Sequence, residues 1–229
     1  MKRSPARLRS SKLSSFTLVE LLVVIGIIAI LAGVLLSAGG AAIRAAMRAK
    51  AANTATQIQT AVLNYYTEYS VYPMVAAATP VDTLFQTAAD WQPVTVVLCG
   101  GIDPGNPGGG QYSASSPYNL NTRQIPYLTL NRADLDTTVT PAVPKTPFLS
   151  PTGTTQYFYM AIDDDYSGVI GDSGTSTKPP DFSSMSSTLT TYNPFATTKA
   201  VAGGVVVWAN GDPQSTATKT HPNFWVHTY

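Results

Sequence analysis

From Phe16 to Leu36 the chain reads FTLVELLVVIGIIAILAGVLL, apolar throughout except for Thr17 and a single carboxylate, Glu20. As a helix this run rises about 31 Å at about 1.5 Å per residue, the depth of a bilayer's hydrocarbon core. Such a run crosses a membrane, is removed as an export signal, or packs against other helices like itself. Its flanks are unequal. Lys2, Arg3, Arg7, Arg9 and Lys12 precede it with no acid among them. Basic flanks stay in the cytoplasm, so the bulk of the chain is expected outside. Arg44, Arg48 and Lys50 on the far side oppose that orientation, but they are fewer.

Three readings compete for residues 1–40. A cleaved secretory signal would be cut among the small residues Ala38 to Ala42, although the apolar run exceeds the roughly 7–15 residues of a signal's hydrophobic region. A plain anchor would simply span. Neither explains Glu20. An acid at the centre of a span costs about 2.5–3.5 kcal/mol and less near its end, so it normally has a partner. No neighbouring residue in the run is basic. A cut between Ser15 and Phe16 would create that partner, because Phe16 would then carry an α-amino group in the same apolar layer. Glu20 of one subunit would pair with the Phe16 amine of its neighbour, and an unpaired carboxylate would be penalised.

The string Phe-Thr-Leu-Val-Glu-Leu, set in FTLVELLVVIGIIAILAGVLL behind a basic leader, resembles the leader junction of type IV pilins and type II secretion pseudopilins. The resemblance covers residues 12–40. It implies a cut by prepilin peptidase before Phe16, N-methylation of Phe16, and an assembly role for Glu20 at the fifth mature position. The family usually has Gly before the cut, where this chain has Ser15, and commonly a mid-helix Pro, where this chain has Gly33, Gly39 and Gly40 as weak points. The segment NYYTEYSVYP resembles the end of this helix in the major pseudopilins.

Beyond the membrane run, Ala51, Ile58, Val62, Tyr65 and Tyr69 recur at helical spacing, and no proline appears until Pro73. The helix is therefore expected to continue to Tyr69, with the cluster Tyr65, Tyr66, Tyr69 and Tyr72 packed on the globular part. The expected organisation is a basic leader (1–15), a transmembrane and filament-core helix (16–40), its amphipathic continuation (41–72), and a head (73–229). In the head, VDTLFQTAAD (81–90) reads as a short helix. VTVVL (94–98), IPYLTL (125–130), QYFYMAI (156–162), GGVVVWA (203–209) and NFWVHTY (223–229) read as strands. GGIDPGNPGGG (100–110) and TTVTPAVPKTPFLSPTGTT (137–155) read as loops. The fold class is α+β: one long helix on a small antiparallel sheet with long loops.

Charge excludes one class of partner. Residues 51–229 hold six bases against twelve acids, so the head lacks the clustered Lys and Arg that phosphate contacts require, and no nucleic acid is expected. With Cys99 as the single cysteine, an intramolecular disulfide is impossible, and Cys99 reads as a small buried hydrophobe. By resemblance, the pilin branch commonly closes its C-terminal loop with a cysteine pair, so its absence points to the pseudopilin branch.

Two segments are candidates for calcium. In DDDYSGVIGD (163–172), Asp163, Asp165 and Ser167 alternate and Gly168 follows, an oxygen-rich turn of the kind a hard cation uses. The bidentate Glu of an EF-hand is missing; Gly174 stands there. The competing reading is an acidic, solvated hairpin turn. Major pseudopilins bind calcium late in the sheet, and by that resemblance Asp212 in WANGDP is a second candidate position. His221 and His227 lack companions, and no phosphate loop, nucleophile elbow or zinc motif is present, so no enzyme is expected.

The reading implied is a structural filament subunit, a pseudopilin of a type II secretion-like system. It would be held in the inner membrane N-in and C-out, then assembled into a periplasmic or surface fibre. Its partners would be further copies, other pilin-like subunits, prepilin peptidase and an inner-membrane assembly platform. The alternatives are a type IV pilus subunit (adhesion, motility or DNA uptake) and a membrane-tethered module binding carbohydrate through Trp208, Trp225 and tyrosines.

Overall fold

The computed structural model describes residues 17–74, 83–112, 117–149, 153–170, 201–209 and 226–228. Two compact units divide the chain, Met1–Ile43 and Arg44–Tyr229. Helix α1 (Leu18–Tyr69) begins in the first and ends in the second. It runs through Gly33, Gly39 and Gly40. It stops at Ser70, whose φ of 56° is left-handed and whose N–H bonds the Tyr66 carbonyl at 2.7 Å. Among the described side chains of the first unit, the large apolar ones are exposed, Leu18, Val19, Ile25, Ile28 and Val34 among them.

In the second unit, α1 turns one face inward. Ala51, Ala55, Ile58, Val62 and Tyr65 are fully buried at spacings of four, three, four and three, the stripe expected of an amphipathic helix. They join one core with Trp91, Val97 and Leu98 of α2 (Ala88–Leu98) and with Met160, Ile162, Val205 and Val207 of the sheet. The main sheet is antiparallel with order β1-β5-β8-β9, formed by Thr83–Phe85, Tyr159–Ile162, Val205–Ala209 and Val226–His227. A second sheet, β2-β3-β4, uses Leu135–Asp136, Val143–Leu149 and Thr155–Tyr157. A third pairs β6 (Val169–Ile170) with β7 (Val201–Ala202). The architecture is the α+β one expected.

Four local expectations are corrected. VTVVL is the last part of α2, not a strand. Residues 94–98 are all buried, and an unbroken apolar run carries no period to separate strand from helix. The helix is started by a capping box: Thr87 accepts from the Asp90 N–H, and Asp90 accepts from the Thr87 N–H at 2.8 Å. Pro93 stands inside the helix, beyond its first turn. VDTLFQTAAD is accordingly no single helix: Thr83–Phe85 is an edge strand paired to β5, Thr83 opposite Ile162 and Phe85 opposite Met160.

IPYLTL forms no strand. The N–H groups of Tyr127 and Leu128 both bond the Leu98 carbonyl, at 2.8 and 3.0 Å, so this segment closes the end of α2 instead of joining a sheet. Finally, VPKTPFL inside the expected 137–155 loop is β3. Its two prolines mimic a loop, but Pro144 pairs with Leu135 of β2, and the register toward β4 shifts between Lys145 and Leu149, where Pro147 stands. A bulge is where a strand tolerates a residue that cannot donate.

Candidate functional site

Among the described residues of the first unit there is one polar constellation. Thr17 precedes α1, and its N–H and hydroxyl both donate to Oε2 of Glu20, each at 2.8 Å. The Glu20 N–H returns a bond to the Thr17 hydroxyl at 3.3 Å. This is a capping box, the same device that starts α2. The Thr-x-x-Glu spacing signals this box in the sequence itself and gives Glu20 a partner within its own chain. Thr17 is thus a functional neighbour of Glu20 that the apolar pattern alone does not single out. Glu20 is the sole carboxylate of the exposed apolar stretch. Ser15 and Phe16 lie outside the described residues, as does Asp212.

The acidic turn after β5 is built by its own backbone. Asp163 is buried; its Oδ1 accepts from the Ser167 N–H at 3.0 Å and its Oδ2 from the Gly168 N–H at 2.7 Å. Asp165 Oδ1 accepts from the same Ser167 N–H at 3.0 Å. The Ser167 hydroxyl donates to the Val169 carbonyl at 3.0 Å. The loop bends through left-handed Tyr166 (φ 59°) and Gly168 (φ 83°). Burial and a hydrogen bond to Asp165 raise the Asp163 carboxyl above its ordinary range, against the pull of the Gly168 and Ser167 N–H groups. Burial also pushes Asp165 upward, but the hydrogen bonds from Asp163 and Ser167 outweigh it and hold Asp165 low.

Asp163, Asp165 and Ser167 are therefore brought together in the loop between β5 and β6, strands that pair with β8 and β7 and not with each other, so the loop is not a hairpin turn. Among the described residues no group of three or more His, Cys, Asp or Glu side chains is arranged to hold a metal ion. Tyrosines fasten the turn to the end of α1. Tyr166 stacks on Tyr72 with centroids 5.7 Å apart, and Tyr72 stacks on Tyr66 at 4.8 Å. Burial, then the charge of Asp163 and neighbouring phenols, pushes Tyr72 up to about 12. Burial likewise drives the Cys99 thiol up to about 12, so it is an inert packing group and no nucleophile.

The aromatic face expected of a tethered binding module is not formed by Trp208. Only 2% of that residue is exposed, and its ring stacks on Tyr159 at 5.6 Å. It belongs to the core of the sheet. Trp225 lies outside the described residues.

With this geometry in place, comparison with known proteins gives one match. The prokaryotic N-terminal methylation motif matches residues 11–36, the end of the leader, Phe16, Glu20 and the exposed apolar stretch. The chain thus carries the N-terminal motif of type IV pilin-like proteins over those residues. No curated protein and no solved structure matches it. The motif implies processing by prepilin peptidase and assembly into pilin-type filaments. It belongs to structural subunits, not enzymes. Among the described residues α1 is the one helix long and apolar enough to cross a membrane, in keeping with a membrane-anchored single-pass protein.

Proposed function

We propose that this protein is a pseudopilin of a type II secretion-like system. Prepilin peptidase cuts between Ser15 and Phe16, Phe16 is N-methylated, and the subunit is stored N-in and C-out before stacking into a short fibre. The observation that carries this reading is the first half of α1. It is apolar on every side, every described large side chain is exposed, and Glu20 is its only charge. Helices of that kind cover one another when lipid is removed. The single cysteine supports the pseudopilin branch over the pilin branch. Intact mass and N-terminal sequencing of protein from native membranes test the cut. A start at N-methyl-Phe16 supports it, and a start at Met1 or after Ala38 ends it.

A second reading is favoured by the bonds between Glu20 and Thr17. In a plain membrane tether, Glu20 does no more than cap its helix. Glu20→Gln separates the two, because Gln serves a capping box as well as Glu does but offers no charge to an amine. Loss of fibres with normal insertion supports assembly through Glu20. Calcium at Asp163, Asp165, Ser167 and Asp212 is a separate proposal, tested by a rise in Tm with calcium that Asp165→Asn removes.

A further inference from the structure

We propose that the pocket between the glycine-rich loop 100–112 and the segment 132–142 is a binding site for a neutral saccharide. The cavity measures about 330 Å³ and is lined in part by Asp103, Asn106, Tyr112, Arg132, Thr137 and Thr140. That volume is at the small end of ligand pockets and suits one or two sugar rings. One acid and one base cancel, so the lining has no surplus charge for an anion or a cation. What remains is an amide, two aliphatic hydroxyls and a phenol, groups that both donate to and accept from ligand hydroxyls. The Tyr112 ring, 5.2 Å from that of Tyr118, supplies a flat apolar face for the C–H side of a pyranose.

The pocket is held in shape before any ligand arrives. Asp103 is only 5% exposed, and its Oδ1 accepts from the N–H groups of Gly105 at 2.8 Å and Ala142 at 3.0 Å. One oxygen thus ties the two walls together, and Oδ2 carries the acceptor capacity left for a ligand hydroxyl. Arg132 Nη1 donates to the Gly105 carbonyl at 2.7 Å, which fixes its guanidinium at the rim. A Cβ on Gly105 would stand 2.6 Å from the Ala142 Cβ and 3.2 Å from Asp103 Oδ1. The loop therefore needs glycine where its walls meet. Groups fixed in place lower the ordering cost of binding.

The test uses the full chain in a zwitterionic detergent without a sugar headgroup, titrated by saturation-transfer NMR. The probes are glucose, galactose, mannose, N-acetylglucosamine and maltose, with glucuronate and inorganic phosphate as charged comparators. The expected result is saturable binding of at least one neutral sugar that phosphate does not displace. Asn106→Ala and Tyr112→Ala should each weaken it about fivefold or more with Tm unchanged. No saturable binding of a neutral sugar up to about 50 mM, binding of the charged probes alone, or affinity unmoved by both variants would overturn the proposal. None of these outcomes depends on where the N-terminus is cut, so the filament reading stands or falls separately.

Discussion

Residues 18–34 and 51–65 belong to one helix, yet they treat their side chains in opposite ways. In the first stretch Leu22 is 59%, Ile28 58% and Leu31 57% exposed; in the second Ala55, Ile58, Val62 and Tyr65 are 0% exposed. The second carries Asn53, Thr56, Gln57 and Thr60 between its buried positions, because a protein core covers it on one side and water on the other. The first has no polar face, the pattern of a helix suited to apolar surroundings on every side. One backbone geometry thus serves two solvents, and only the side-chain pattern separates them.

That contrast can be broken most sharply at Glu20. If it pairs with a neighbour's amine, Glu20→Gln removes one partner of an apolar-layer ion pair, worth about 3–5 kcal/mol. Fibres should then vanish from sheared fractions while membrane insertion and the head's Tm stay unchanged; normal fibres would leave Glu20 with a capping role only. In the second unit the largest effect should come from Trp91, fully buried with its indole N–H on the Phe158 carbonyl at 2.7 Å. Trp91→Ala should cost about 3–5 kcal/mol by denaturant unfolding and leave insertion intact.

Asn121 comes next. Its amide nitrogen donates to the carbonyls of Val97 at 2.8 Å and Ile125 at 2.7 Å, and its Oδ1 accepts from the Tyr69 hydroxyl at 2.9 Å. Asn121→Ala strands those groups and should cost about 2–3 kcal/mol; a change below half a unit would show that water replaces the side chain. Asp136 should give a smaller, pH-dependent effect. Burial pushes its carboxyl up, but the Thr138 and Tyr157 hydrogen bonds and the Lys145 charge hold it below its ordinary value. A lowered folded pKa means that the stability is present above the ordinary carboxylate pKa and lost as pH falls through the folded one. Asp136→Asn should flatten that acid limb and cost about 1–2 kcal/mol near neutrality. Ile25→Val, on the exposed stretch, should move the head's Tm by nothing measurable. A shift there would mean that the two stretches are coupled.

The N-terminal constellation was readable from the chain because it is contiguous. Leader, Phe16, Glu20 and the apolar run need only local order and helical rise to be interpreted. The buried stripe of α1 was legible for the same reason: Ala51, Ile58, Val62 and Tyr65 announce a period. So were β8, whose β-branched run follows the turn residues Gly203 and Gly204, and the acidic turn, where spacing carries the signal. The capping box of Thr17 and Glu20 was equally written there, since it spans only four positions.

Tertiary structure decided the rest. Val94 to Leu98 is apolar at every position, so its own pattern is silent between helix and strand, and burial on all sides against α1 and the sheet supports the helix. β3 holds two prolines, and only pairing with β2 and β4 makes it a strand. Trp208 looked like a binding face until β5 covered it with Tyr159. The pocket around Asp103 joins residues about thirty apart in sequence, 103–112 with 132–142. No local pattern encodes such a meeting. Local periodicity reports the solvent on either side of an element, whereas only the folded chain determines which element supplies the opposite wall.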